Sequence, residues 1–165
     1  MITKEQYIQS LVREIDIIKH LAEKINSGKL DYRPTEKQRS TLELLQYMGQ
    51  SIITSITANI AGDQNKYTEL SKAKDYVTFD NFISKMDEQA SFVRETISSL
   101  SEDDFKKEYT IFGFKAPLSV HLLQVLKSVT AYKMQLFLYI KASGNSSIGT
   151  SNLWGGVDMP PKEQD

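Results

Sequence analysis

Cysteine is absent from these 165 residues and histidine occurs only twice. The first absence removes disulfides, thiolate metal ligands and cysteine nucleophiles together, so any thiol chemistry would need a thiol brought by a substrate. The second leaves His20 and His121, far apart in the chain and without a recognisable metal-ligand spacing. No sign of charge dominates either. The 20 Lys and Arg residues are spread along the chain against 21 Asp and Glu, for a formal net charge of −1. That balance lacks the electrostatic footprint a phosphate backbone requires, and nucleic acid is not an expected partner. No apolar run approaches the roughly 18 residues of a membrane-spanning helix, and the opening MITKEQYIQSLVREID is too charged for a secretory signal. A cytoplasmic protein with no membrane partner is expected, and in that setting the sequon-like Asn145-Ser146-Ser147 carries little meaning.

Several catalytic motifs are missing as well. No phosphate loop, dinucleotide fingerprint or serine-hydrolase elbow occurs, and no Glu-x-x-His, which excludes a di-iron carboxylate bundle. The acidic SEDDF, Ser101 to Phe105, lacks the alternating oxygen ligands of a calcium loop; its acids suit the start of a short helix.

What the chain has is helical periodicity. Tyr7, Ile8, Leu11, Val12, Ile15, Ile18, Leu21, Ala22 and Ile25 recur mostly three or four apart, with Thr3 and Gln6 at capping-box spacing and Gly28 beyond the last apolar residue. This predicts a first helix over residues 4–27. Ser40 and Glu43 form a second capping box ahead of Leu42, Leu45, Met48, Ile52, Ile56 and Ile60, predicting a helix over 40–61 that ends near Gly62. A third helix, over 80–100, follows from Phe82, Ile83, Met86, Ala90, Val93, Ile97 and Leu100, with Asp80 or Thr78 placed to cap it. KEYTIFGFKAP alternates around a glycine as a small extended hairpin would, and Pro117 and Ser119 open a fourth helix over 118–142. The expected fold is therefore all-α: a single-domain four-helix bundle over 1–165, with a longer crossover connection in the linkers 28–39 or 62–79. An irregular tail, 144–165, is expected to be pinned to it by Leu153 and Trp154.

On the fourth helix, Leu118, Leu122, Val129, Leu136 and Ile140 make one face, and His121, Ser128, Tyr132, Gln135 and Tyr139 make a second stripe roughly 90° away. At such a border a tyrosine buries its ring and keeps its hydroxyl wet, which is structure enough; the functional alternative is a groove wall. Tyr47 lies nearly opposite the Leu45, Ile52, Ile56 and Ile60 stripe of its helix, beside Leu44 and Ser51. Either that helix has a further packing partner, such as the tail or another subunit, or Tyr47 is not in the groove. His20, with Asp16 and Glu23 on its side of the first helix, reads as a solvated charged face, and His121 as a neutral polar residue near a helix start.

RSTLELLQYM (Arg39 to Met48), SVTAYKMQLFLYIKASG (Ser128 to Gly144) and the closing LWGGVD (Leu153 to Asp158) resemble the DinB-like four-helix-bundle superfamily, over nearly the whole chain. The resemblance implies a bacterial protein. In that superfamily a histidine in helix two and a HxxxHxxQ pair in helix four bind zinc or nickel, and characterised members include thiol S-transferases and a mycothiol-dependent isomerase. Carried over, the three ligand positions fall on Tyr47, Ser128 and Tyr132, and the glutamine on Gln135. None is histidine, and a serine hydroxyl or a phenol with a pKa near 10 must lose a proton before it binds such an ion well. No metal and no cofactor are expected. The groove candidates are thus Tyr47, Ser128 and Tyr132, with Gln135 and His121 nearby; catalytic residues are not identifiable. The expected role is a non-catalytic small-molecule-binding or interaction protein, whose groove is either vestigial or takes a small organic ligand. The alternatives are a thiol-dependent transferase or isomerase and a symmetric homodimer joined through helix two or four.

Overall fold

The computed structural model describes residues 2–72 and 76–159. The distal tail, 160–165, and residues 73–75 of the 62–79 linker lie outside the described residues. Four long helices dominate: α1 (Lys4–Ala22), α2 (Thr41–Ala61), α4 (Phe82–Ser99) and α6 (Leu118–Ala142). Two short ones, α3 (Gln64–Leu70) and α5 (Glu102–Lys106), lie between them, and β1 (Glu108–Ile111) pairs antiparallel with β2 (Phe114–Pro117) just before α6. The architecture is the all-α bundle with its small hairpin that the periodicity predicts.

Local chemistry sets most boundaries. Thr3 with Gln6, Ser40 with Glu43 and Ser101 with Asp104 each form a reciprocal capping box, so three helix starts satisfy two orphan backbone donors apiece. α4 starts differently. Thr78 and Asn81 cap each other's backbone N–H one turn early, Asn81 then precedes the helix without a side-chain cap, and Asp80 caps nothing. α1 stops five residues short of the predicted 27: Lys24 N–H and Ile25 N–H bond back three residues to Leu21 and Ala22, which tightens the last turn. Gly28 instead sits in a separate 3₁₀ turn, Ser27–Lys29, capped by Asn26. At Gly62 the expectation holds: φ is +65°, and the ring of Tyr109 lies where a Cβ would project.

α1 packs against α4 and α6, and α2 against the same two helices, so α1 and α2 face each other across the bundle, as do α4 and α6. The connections that cross the bundle are therefore 23–40 and 100–117, the latter built from α5 and the hairpin. The 62–81 connection joins neighbours. Leu11, Ile15, Leu45, Ile52, Ile56, Val93, Ile97, Leu122 and Leu136 are fully buried at the centre, each stabilising by roughly 1.5 to 3 kcal/mol.

Gln89 of α4 enters this core. Its Oε1 accepts from Ile52 N–H at 2.9 Å and its Nε2 donates to the Met48 carbonyl at 2.9 Å, so one side chain is bonded to both ends of a single turn of α2. α2's second apolar side has a packing partner within the chain. α3 packs there, and buried Val77 lies against Gly49, where a Cβ would meet its Cγ1 at 2.8 Å.

The tail returns to α1 through a π-helical turn, Ser151–Gly155. Ile148 and Leu153 are buried, while Trp154 is 55% exposed with its ring 4.9 Å from Lys133 Nζ. Asn152 adds a polar fastening. Its Oδ1 accepts from Gly149 N–H, and its Nδ2 donates to Asp158 at 2.8 Å and to His20 Nε2 at 3.0 Å. His20 is therefore covered by the tail and is not part of a solvated charged face, because Asn152 and Asp158 come back over it; Lys24 holds Asp158 from the side at 2.6 Å.

Candidate functional site

A cavity of about 440 Å³ opens between α2, α3, the hairpin and the first half of α6. α2 supplies Tyr47, Ser51 and Asn59, α3 supplies Tyr67, the hairpin supplies Phe112 and Phe114, and α6 supplies His121, Ser128 and Tyr132. Ser128 and Tyr132 are one helical turn apart and share a face of α6. Tyr47 meets them: its ring centroid is 4.6 Å from that of Tyr132, tilted by 51°. The positions that the sequence pattern singled out on α2 and α6 thus converge on one groove, and Tyr47 faces it.

Hydrogen bonds order the wall. The hydroxyls of Tyr47 and Tyr67 are 3.2 Å apart, Ser128 donates to the Gln124 carbonyl one turn back, and the Arg39 guanidinium stands 4.5 Å from the Tyr47 ring centroid. Burial, reinforced by the neighbouring Tyr67 and Tyr132 hydroxyls, holds the Tyr47 phenol well above the usual tyrosine range, so it stays a neutral donor at any physiological pH. His121, near the start of α6, is buried. Its Nε2–H donates to the Tyr109 carbonyl at 3.2 Å, because a carbonyl can only accept, and its ring meets Phe114 edge-on at 5.6 Å.

Gln135 stands apart from the lining. Its Nε2 donates to Tyr139 Oη at 2.8 Å and Tyr139 in turn donates to the Arg39 carbonyl at 3.0 Å, fixing the residue whose guanidinium overlies Tyr47. It positions the groove edge without touching its contents. Tyr67 and the two hairpin phenylalanines were not singled out from the sequence. The signal for the phenylalanines was present, since Phe112-Gly113 sits at the tip of an alternating hairpin; Tyr67 lies in a polar stretch with no apolar period to announce a helix.

As oriented here, three groups of the lining are poor ligands for a divalent ion. The Tyr47 phenol resists ionisation, Ser128 spends its proton on a backbone carbonyl, and His121 turns Nε2 toward Tyr109. Among the described residues no group of three or more His, Cys, Asp or Glu side chains gathers where it could hold a metal.

No protein-family model matches the chain, and no curated protein matches it in sequence. Its fold is that of the DinB-like proteins. The crystal structure of one of them, YjoA from Bacillus subtilis, superposes with a TM-score of 0.70 over 87% of this chain and 95% of that one, at 19% identity. Among the described residues no helix is long and apolar enough to cross a membrane.

Proposed function

We propose that this is a metal-free, non-catalytic protein that binds a small organic molecule in the groove between α2 and α6. The observation that carries this is the lining itself: a cavity within the volume range of ligand sites, walled by tyrosine, serine and amide side chains, with no Asp, Glu, Lys or Arg among its lining residues. A cavity of about 500 Å³ between α1 and α4 is larger, but it is lined by Glu5, Arg13, Asp16 and Arg94 and is a charged surface trough. The protein is taken to act in the cytoplasm, in keeping with a cysteine-free composition.

Calorimetric screening of neutral small molecules tests the proposal. A saturable ligand whose binding weakens about tenfold in the Ser128→Ala, Tyr132→Phe double variant is expected, the size of two lost neutral hydrogen bonds. Binding unchanged by the double variant would place the ligand elsewhere. About one zinc or nickel per chain by elemental mass spectrometry, with a raised melting temperature, would overturn the metal-free assignment.

Assembly is a separate question with its own observation. Leu123, Met134 and Leu138 lie on one outward face of α6, at 37%, 36% and 55% exposure, away from the groove. A second copy covering that face would give a symmetric dimer, which sedimentation at micromolar concentration would reveal.

A further inference from the structure

The hairpin that overhangs the groove turns on Phe112 and Gly113, between the paired residues Ile111 and Phe114. Both have positive φ, 49° and 76°, the signature of a type I′ turn, the one whose twist matches the flanking strands. Its first position favours Asn, Asp or Gly. Here it holds a phenylalanine, and Phe112 is the only non-glycine with positive φ among the described residues. A bulky side chain resists that conformation, so something must hold it or use it.

What holds it comes from α3. Phe112 N–H donates to Gln64 Oε1 at 3.0 Å, and its ring meets Tyr67 edge-on at 5.5 Å. These contacts do not bury the ring, which remains 63% exposed at the cavity mouth; Phe114, across the turn, is 49% exposed there. The turn itself could be made by an asparagine. Apart from its edge contact with Tyr67 the ring is not needed by the turn, and its exposed face points to an occupant.

We propose that Phe112 and Phe114 form an aromatic clamp over the groove, and that the ligand is a flat, uncharged aromatic molecule of one or two rings carrying a hydrogen-bonding group. This rests on the groove being a binding site, as proposed above, and names its ligand class. Deeper in, the rings of Tyr47, Tyr67 and Tyr132 continue the aromatic wall and their hydroxyls supply polar partners. No Asp, Glu, Lys or Arg side chain lines the cavity, and Arg39 at its edge is already engaged over the Tyr47 ring, so a charged ligand would lose hydration with little counter-charge in return. A saturated ligand would fill the same volume but forgo ring-edge contacts with five aromatic residues.

The test is calorimetry with three probes of similar shape: 2-naphthol, 2-naphthoate and decahydro-2-naphthol, on the full chain and on Phe112→Asn and Phe112→Gly. Both substitutions suit the turn, so melting temperatures at or above that of the parent are expected. 2-Naphthol should bind, and binding should fall about tenfold in both variants, the size of one aromatic contact. Naphthoate or the saturated alcohol binding as tightly as 2-naphthol would overturn the ligand class. Unchanged 2-naphthol affinity in the variants, or their unfolding, would overturn the clamp. If 2-naphthol fails while the neutral screen finds another ligand sensitive to Tyr132→Phe, this inference falls and the groove survives; if nothing binds, both fall.

Discussion

Tyr132 and Lys133 are consecutive in α6 and face different surroundings. Tyr132 lies along the groove among neutral hydroxyls and aromatic rings. Lys133, about 100° around the helix, is 1% exposed, with Nζ 2.8 Å from Glu14 Oε2 of α1 and 4.9 Å from the Trp154 ring of the tail. One turn of helix thus carries an uncharged recognition surface on one side and a buried ion pair on the other. The difference teaches where charge is used here: it fastens α6 to α1 under the tail, while the lining of the groove holds no Asp, Glu, Lys or Arg and its nearest cation, Arg39, stays at the edge over Tyr47. The distance marks an ion pair, yet neither charged atom has a well-aligned hydrogen bond, so the pair is held by Coulomb attraction and packing.

The sharpest way to break that contrast is at Lys133. Lys133→Ala leaves the Glu14 carboxylate facing a cavity and should cost about 3 kcal/mol in urea unfolding, whereas Lys133→Met with Glu14→Gln should recover most of the loss. If the single substitution costs less than about 1 kcal/mol, the pair is a solvated contact and the contrast dissolves. Gln89→Leu should cost about 2 kcal/mol, because two backbone groups of α2 lose a buried partner next to Tyr47. Retained stability there would mean that α2 closes its own ladder once the amide is gone.

The smallest effect at neutral pH belongs to the groove side. The Tyr47 phenol is raised in the folded protein, chiefly by burial, so above about pH 10 the unfolded chain releases this proton while the folded chain keeps it. The folded state then binds more protons, and stability falls as pH rises past that point. Tyr47→Phe should flatten this alkaline loss without changing the curve near pH 7. Buried Tyr7, raised by desolvation and donating to the Leu122 carbonyl, adds its own share and remains in the variant as an internal control.

Local signals in the chain were legible and distant ones were not. Each capping box needs only residues three apart, and the two read from the sequence, Thr3 with Gln6 and Ser40 with Glu43, both form. The four long helices follow from apolar period, and the groove positions Tyr47, Ser128 and Tyr132 converge from two helices. Gln135 kept its helix face but turned to Tyr139. Gln89 could have been found, since it falls three after Met86 and four before Val93 on the buried face. Lys133 could not: a lysine in YKM reads as solvated, and only the approach of Glu14 and Trp154 makes it interior. α3 carries no apolar stripe, and its place is set by contacts with α2 and the hairpin. His20 and Trp154 exchanged the exposures their types suggest because the tail crosses α1 at Asn152.

That crossing has a consequence for how the chain is made. Asn152 bonds to His20, 132 residues earlier, and Asn145 reaches the Lys24 carbonyl across 121. During synthesis the end of α1 leaves the ribosome more than a hundred residues ahead of these polar partners. The first helix therefore waits with His20 and the Lys24 carbonyl unmatched while the intervening residues are added, and its C-terminal turns are sealed by a long-range step.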